Sequence, residues 1–284
     1  RSVESVLAEL KAAAPDTTAD LNTIYRPAGG AGSIATGPVQ SRPAARGPRS
    51  VVGVIDTAID RGQPLLGKAI IETRSFAQGG AESPLHGTVV AYLTAQAGAD
   101  VMAADVFALD RSGQPAAGAD GIARALDWLI ASRVSVINLS LAGPPNAALA
   151  EVIRRAQARG AVIVAAAGNG GPAAPPAYPA AYPEVVAVTA VDSGGQVYRY
   201  ANQGAYITFA ARGVDLTPMP GQKLSGTSYA SPAVAAIIAR QHLAPSARAS
   251  ALVVSRLRAQ ARDLGAPGRD PVYGYGLIGV TGGR

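Results

Sequence analysis

Cysteine is absent from this 284-residue chain, histidine occurs twice, and lysine accounts for only three of 25 basic residues. The first absence removes disulfides, thiolate nucleophiles and thiolate-bound zinc together, so covalent chemistry has to start from another side chain. The second leaves an imidazole base two addresses, His86 and His242. No uninterrupted apolar run approaches the roughly 18 residues of a bilayer span, and 33 Gly with 21 Pro follow no collagen repeat. Transmembrane and fibrous classes therefore fall away, and no transmembrane segment is expected in this chain. The net charge is +6, but the arginines are scattered, without interleaved aromatics or a basic helical stripe. Clustering, rather than total charge, marks a nucleic-acid footprint, so no nucleic-acid partner is expected.

What is present is a chain with 48% hydrophobic residues, enough for a sizeable core. Val3, Val6, Leu7 and Leu10 recur at helical spacing behind Ser2, which predicts one short amphipathic helix over residues 2–13. Residues 26–50 are rich in Gly, Pro, Ala and Arg without periodicity and read as a linker or extended arm. The expected division is 1–49, a helix and arm, and 50–284, the main domain. The first segment has three readings: the tail of a propeptide, a spacer, or an extension docked on the main domain. The chain begins with Arg1 rather than methionine, which reads as processing or trimming.

From residue 51, β-branched runs alternate with helical patterns. The runs are 51–56, 100–109, 134–141, 161–167 and 184–191, and the helix candidates are 86–97, 118–132 and 146–159. Nearly continuous apolar strands separated by helices predict an α/β fold with a doubly wound, mostly parallel sheet and helices on both faces. Ligands in such sheets bind beyond the carboxyl ends of the strands. Asp56, Ser140 and Asn169 each follow an apolar run and stand in that place.

Asp56, His86 and Ser228 supply an acid, a base and a nucleophile. A serine hydroxyl needs an imidazole to take its proton, and the imidazolium needs a carboxylate to orient it. Each residue also has a plainer reading, Asp56 as a turn cap and His86 and Ser228 as helix caps.

The flanking sequences bear on that choice. VVGVIDTAID, HGTVVAYLTA and SGTSYASPAVAA resemble, in order, the three signature blocks of the subtilisin-like serine proteases, the subtilases. INLSLAGPP, VIVAAAGNGG and YPAAYPEVVAVTAVD are similar to further blocks of that family, and the resemblance covers about residues 50–241. It implies a subtilisin-like fold and a catalytic triad of Asp56, His86 and Ser228. The Asn169 amide and the Ser228 N–H would donate to the oxyanion. An extended polypeptide substrate would lie beside Ser140, Leu141 and Ala142. The pocket for the residue before the scissile bond would be walled by Ala166, Ala167 and Gly168, with Ala177 at its base. No acidic residue falls there, so the implied activity is a serine endopeptidase with broad or apolar-biased specificity, working through an acyl-enzyme. No cofactor and no metal are implied, the chain is expected to be a monomer, and family habit places it in the secreted or periplasmic space.

The chain departs from the family pattern at Ala58, Val89 and Tyr92, and Tyr92 raises the expectation of altered packing and a partly occluded cleft. Residues 95–107 are too short for a calcium-wrapping loop, and Asp60, Glu72 and Asp215 are the remaining candidates for a weak surface site. His242 is placed at a helix end. Pro232 is placed in a first helical turn, where its missing N–H costs little. Competing readings are a non-catalytic peptide-binding scaffold, an α/β-hydrolase esterase, which lacks its G-x-S-x-G elbow, and a dinucleotide binder, which lacks G-x-G-x-x-G.

Overall fold

The apolar runs become the middle of one parallel sheet. The computed structural model describes residues 2–28, 49–63, 66–79, 85–218 and 223–279. Its elements, in chain order, are α1 (Val3–Ala13), β1 (Ile24–Pro27), β2 (Ser50–Asp56), β3 (Ile70–Ser75), α2 (Leu85–Gln96), β4 (Ala99–Asp105), β5 (Ala108–Leu109) and β6 (Pro115–Gly118). They continue with α3 (Ala119–Ala131), β7 (Val136–Leu139), β8 (Leu141–Ala142), α4 (Ala147–Ala158), β9 (Val162–Ala166), β10 (Val186–Val191), β11 (Ile207–Arg212), α5 (Thr227–Ala239) and α6 (Ala249–Arg258). Seven strands form a sheet in the order β11-β10-β9-β7-β2-β4-β3, and every pairing within it is parallel.

Side chains alternate across this sheet with the two-residue period of a strand. Val52, Val54, Val136, Val162 and Val164 join one core with residues of α2, α5 and α6. Ile55, Ile137, Leu139, Ile163 and Ala165 join a second core with residues of α3 and α4. Both faces are thus covered, which is why these strands read as continuous apolar runs. Each fully buried Leu or Ile contributes about 1.5–3 kcal/mol by leaving water. Gly53 sits where α3 crosses; a Cβ there would meet Leu129 Cδ1 at 2.8 Å.

The strand order fixes the place of the site. From β2 the chain moves outward to β3 and returns to β4, beside β2; it then crosses to β7 on the other side and proceeds in sequence to β11. The direction of winding reverses between β2 and β7, which opens a crevice at their carboxyl ends. A second sheet, β5-β6-β1-β8, lies at this end, and both pairings of β1 are antiparallel.

Helix α5 runs through one core with eleven of its thirteen residues buried. Pro232 is its sixth residue, so it lies beyond the first turn, contrary to expectation. A proline there leaves the carbonyl four residues back without its helical donor. That carbonyl belongs to Ser228 and accepts instead from the Ser140 hydroxyl at 3.1 Å. Tyr92 enters the core at 6% exposure, with its hydroxyl against the Gln96 amide, so its bulk is absorbed by packing rather than by the cleft.

Candidate active site

Asp56 is the last residue of β2 and is 1% exposed. Its Oδ1 accepts from the Thr57 N–H and faces His86 Nδ1, both at 2.7 Å. His86 is the second residue of α2, and the close approach depends on its neighbour. A Cβ on Gly87 would lie 2.3 Å from the Thr57 carbonyl oxygen, so only glycine lets the helix start against the end of β2. The Gly87 N–H donates to Thr57 Oγ1 at 2.8 Å, and the Asp60 N–H donates to Thr88 Oγ1 at 2.9 Å. His86 Nε2 is buried without a hydrogen-bond partner among the described residues, and its ring lies 5.4 Å from that of Tyr229, next to Ser228.

Ser228 stands in the first turn of α5, where free backbone N–H groups and the helix dipole favour negative charge. Its hydroxyl donates to the Ser140 carbonyl at 3.1 Å. Ser140 ties this helix to the end of β7: its hydroxyl accepts from the Asn138 amide at 2.8 Å and lies 3.3 Å from Ser231 Oγ. Asn169 is aimed by Thr227, whose N–H and hydroxyl both donate to Asn169 Oδ1 at 3.1 and 3.0 Å. That grip leaves Nδ2 facing the crevice.

The crevice is filled by the chain's own residues 24–28. Arg26 pairs with Ala142 and Pro27 with Leu141 on β8, while Ile24 and Tyr25 pair with Gly118 and Ala117 on β6. The Ala28 N–H donates to the Ser140 carbonyl at 3.1 Å. The Ala28 carbonyl oxygen accepts from the Ser228 N–H at 3.1 Å and from Asn169 Nδ2 at 2.5 Å. Tyr25 is fully buried; a Cβ on Gly143 would lie 2.6 Å from its ring, and its hydroxyl donates to the Pro144 carbonyl at 3.0 Å. Upstream, Asp20 accepts from the Ala147 N–H at 2.6 Å, Asn22 from the Asp120 N–H at 3.2 Å, and the Thr23 carbonyl from the Ala119 N–H at 3.0 Å. The segment thereby sits at the amino ends of α3 and α4.

These contacts place the residues singled out in the sequence. Asp56 and His86 meet directly, and Ser228 and Asn169 converge on one carbonyl oxygen. Ser140, Leu141 and Ala142 flank the extended segment. Ala166 and Ala167 are buried at the end of β9, and Gly168 and Ala177 are adjacent. Gly168 has φ +102°, and a Cβ on it would lie 2.9 Å from the Ala177 Cβ and 3.0 Å from Asn202 Cγ. Its need for glycine comes from that backbone turn and that packing. The arm begins differently from its reading as a linker: residues 26–28 are extended and paired in the crevice, and residues 29–48 lie outside the described residues.

Thr57, Gly87, Gly143 and Thr227 were not singled out in the sequence. Only Thr227 carried a local signal, as a hydroxyl residue directly before the candidate nucleophile. Among the described residues no three acidic or histidine side chains are grouped to hold a metal ion. Asp60 accepts from the Gly62 N–H and the Gln63 amide, Asp215 lies 3.6 Å from Lys223, and Glu72 is exposed on β3. His242 is exposed beyond α5, with Ser50 Oγ at 3.5 Å.

Comparison with known proteins settles the family. Residues 47–276 match the family model described as the subtilase family. The chain belongs to the subtilase family. It is 33% identical over 253 residues to subtilisin amylosacchariticus of Bacillus subtilis subsp. amylosacchariticus, covering 81% of this chain and 64% of that protein. It is 34% identical over 178 residues to the minor extracellular protease Epr of Bacillus subtilis (strain 168), covering 61% of this chain and 27% of Epr. This subtilase thus spans about a quarter of Epr and just under two thirds of the subtilisin. Among solved structures, a lanthipeptide protease aligns with a TM-score of 0.63 at 25% identity, covering 81% of this chain and 85% of that one. Fervidolysin from Fervidobacterium pennivorans aligns with a TM-score of 0.67 at 24% identity, covering 81% and 41%, and speaks for the fold alone. Among the described residues no helix is long and apolar enough to cross a membrane.

Proposed function

We propose that this subtilase is a serine endopeptidase that cuts extended polypeptide through Asp56, His86 and Ser228, with Asn169 as an oxyanion donor. One observation carries the reading: the Ala28 carbonyl oxygen is held by the Ser228 N–H and Asn169 Nδ2, next to a histidine anchored on a buried carboxylate. In an endopeptidase that oxygen is the one on which negative charge develops, and preorganised donors lower the barrier there. The Ser228 hydroxyl turns about its Cα–Cβ bond from the Ser140 carbonyl toward His86 Nε2, a change between staggered rotamers. Nε2 takes the proton as Oγ attacks the carbonyl carbon. It then gives the proton to the departing amine as the C–N bond breaks and the acyl-enzyme forms. Water enters by the same route in reverse, and Asp56 keeps the imidazole oriented throughout. The resident segment makes the bond after Ala28, before Gly29, the first one cut.

Residues 24–28 then act as an internal occupant that blocks the crevice until the bond is cut and the segment leaves. Ala28 is 3% exposed, and with Ala166, Ala167, Gly168 and Ala177 around that end of the crevice, small apolar residues are favoured before the cut. Homology to a protease named extracellular supports secretion or periplasmic export. Mass spectrometry of the intact chain tests the proposal. The expected result is cleavage after Ala28 that is lost in Ser228→Ala, together with an organophosphonate adduct on Ser228 of the cut protein. Cleavage at the same bond in Ser228→Ala, or no adduct, overturns it.

A further inference from the structure

The side chain of the third residue before the proposed cut, Arg26, does not point into solvent unattended. Its guanidinium reaches the hairpin of β5 and β6, where Nη2 lies 2.6 Å from Asp110 Oδ2 and Nη1 donates to the Pro115 carbonyl at 2.6 Å. Exposed ion pairs are common and usually contribute little, because two flexible side chains must be ordered to form them. Asp110 is already ordered. Its Oδ1 accepts from the Ser112 N–H, the Ser112 hydroxyl and the Gln114 N–H at 2.9, 2.6 and 3.0 Å, which leaves Oδ2 as the free acceptor. The hairpin backbone is closed beneath it by Asp110 N–H to the Gln114 carbonyl and Gly113 N–H to the Asp110 carbonyl, both at 2.9 Å. The register opposite Ala142 fixes where any residue in that position emerges. A carboxylate oriented through its other oxygen and a backbone carbonyl oxygen thus meet the forked donor set of a guanidinium.

We propose that Asp110, with the Pro115 carbonyl, is a specificity site that selects a basic side chain, arginine above all, on the third residue before the cleaved bond. The proposal rests on the endopeptidase reading, since it assigns side-chain choice to the same crevice. It adds to the apolar choice at the last residue before the cut a preference for positive charge two residues upstream.

The test uses the full chain and flanked peptides containing Tyr-Xaa-Pro-Ala-Gly, with Xaa as Arg, Ala or Glu. Asp110→Asn keeps the Oδ1 acceptor of the turn and removes the charge; Asp110→Lys reverses it. The wild type is expected to favour Arg over Ala by about fivefold in kcat/KM and to disfavour Glu, the scale of a well-ordered surface pair. Asp110→Asn is expected to level the three peptides, and Asp110→Lys to favour Glu. Cleavage of all three at equal rates by the wild type overturns the proposal and leaves the endopeptidase reading intact. If no peptide is cut, the endopeptidase reading fails, and a measurement without catalysis decides this one. In a Ser228→Ala background, amide exchange at Ala28 is expected to be severalfold faster with Asp110→Asn, and unchanged exchange overturns the proposal.

Discussion

Two parts of the amino-terminal segment behave in opposite ways. Helix α1 has what a helix needs locally: the Ser2 hydroxyl accepts from the Ser5 N–H, Glu4 lies in the first turn and Lys11 in the last. Yet it buries no residue, and Val3 and Leu10 are more than half exposed. Residues 24–28 have no local pattern to commend them, yet they are paired on both edges, and Tyr25 is fully buried. Local propensity locates secondary structure, whereas a binding register is set by the surface waiting for it.

The sharpest way to break this contrast is to damage the surface and leave the segment alone. Asn169→Ala is expected to lower the rate of cleavage after Ala28 by a hundredfold or more, the scale known for loss of one such donor in subtilisin itself. The segment should stay docked, because the strand pairings and the Ser228 N–H contact remain. Rates from single-turnover mass spectrometry, with amide exchange as the control for docking, would show it; an undocked segment would mean that one bond holds it. Gly143→Ala acts on the pocket instead. The added methyl would lie 2.6 Å from the Tyr25 ring and 3.0 Å from the Ile24 carbonyl oxygen. Chymotrypsin cutting after Tyr25 in a Ser228→Ala background should then be about tenfold faster, from an overpacking cost of about 1–3 kcal/mol.

Smaller effects belong to α1. Leu10→Ser is expected to change stability by no more than about 0.5 kcal/mol in urea unfolding, as for surface positions generally. A larger loss would mean that the helix has a partner. The smallest change concerns pH. The Asp110 carboxylate is held well below the usual carboxylate range, first by the Ser112 hydroxyl and then by the Gln114 N–H and Arg26. A lowered carboxylate stays charged as pH falls until its own pKa is reached, so the Arg-over-Ala ratio in peptide cleavage should be the same at pH 7 and pH 5. A ratio that collapses by pH 5 would place the determinant elsewhere.

The same contrast explains what was legible. The strands at the sheet centre were readable because both faces are covered, so Val51–Ile55 and Val136–Leu139 carry almost no polar residue. Strand β3 was not: it is an edge strand whose Glu72, Thr73 and Arg74 face solvent. Asp56, His86, Ser228 and Asn169 stood out through their flanking sequences; in the structure Asp56 meets His86, and the Ser228 N–H and Asn169 Nδ2 share the Ala28 carbonyl oxygen. Pro232 reads as a first-turn residue because the hydroxyl that replaces its missing N–H, Ser140 Oγ on the Ser228 carbonyl, comes from 88 positions away in the chain. Tyr25 and Gly143 were invisible for the same reason. Nothing in a sequence marks a small residue as the floor of a pocket until its occupant lies in it.

The contacts of Asp20, Asn22 and Thr23 have a last consequence for the two helices they touch. Helix α4 carries its own cap, with Asn146 Oδ1 accepting from the Leu149 N–H at 2.8 Å. Helix α3 opens at Gly118, whose lack of a side chain leaves the Ala119 and Asp120 N–H groups to be met from the amino-terminal segment. Departure of that segment therefore exposes unequal ends: α4 keeps a closed first turn, while the first amides of α3 pass to water and fray. One helix records whether the amino-terminal segment is docked, and the other does not.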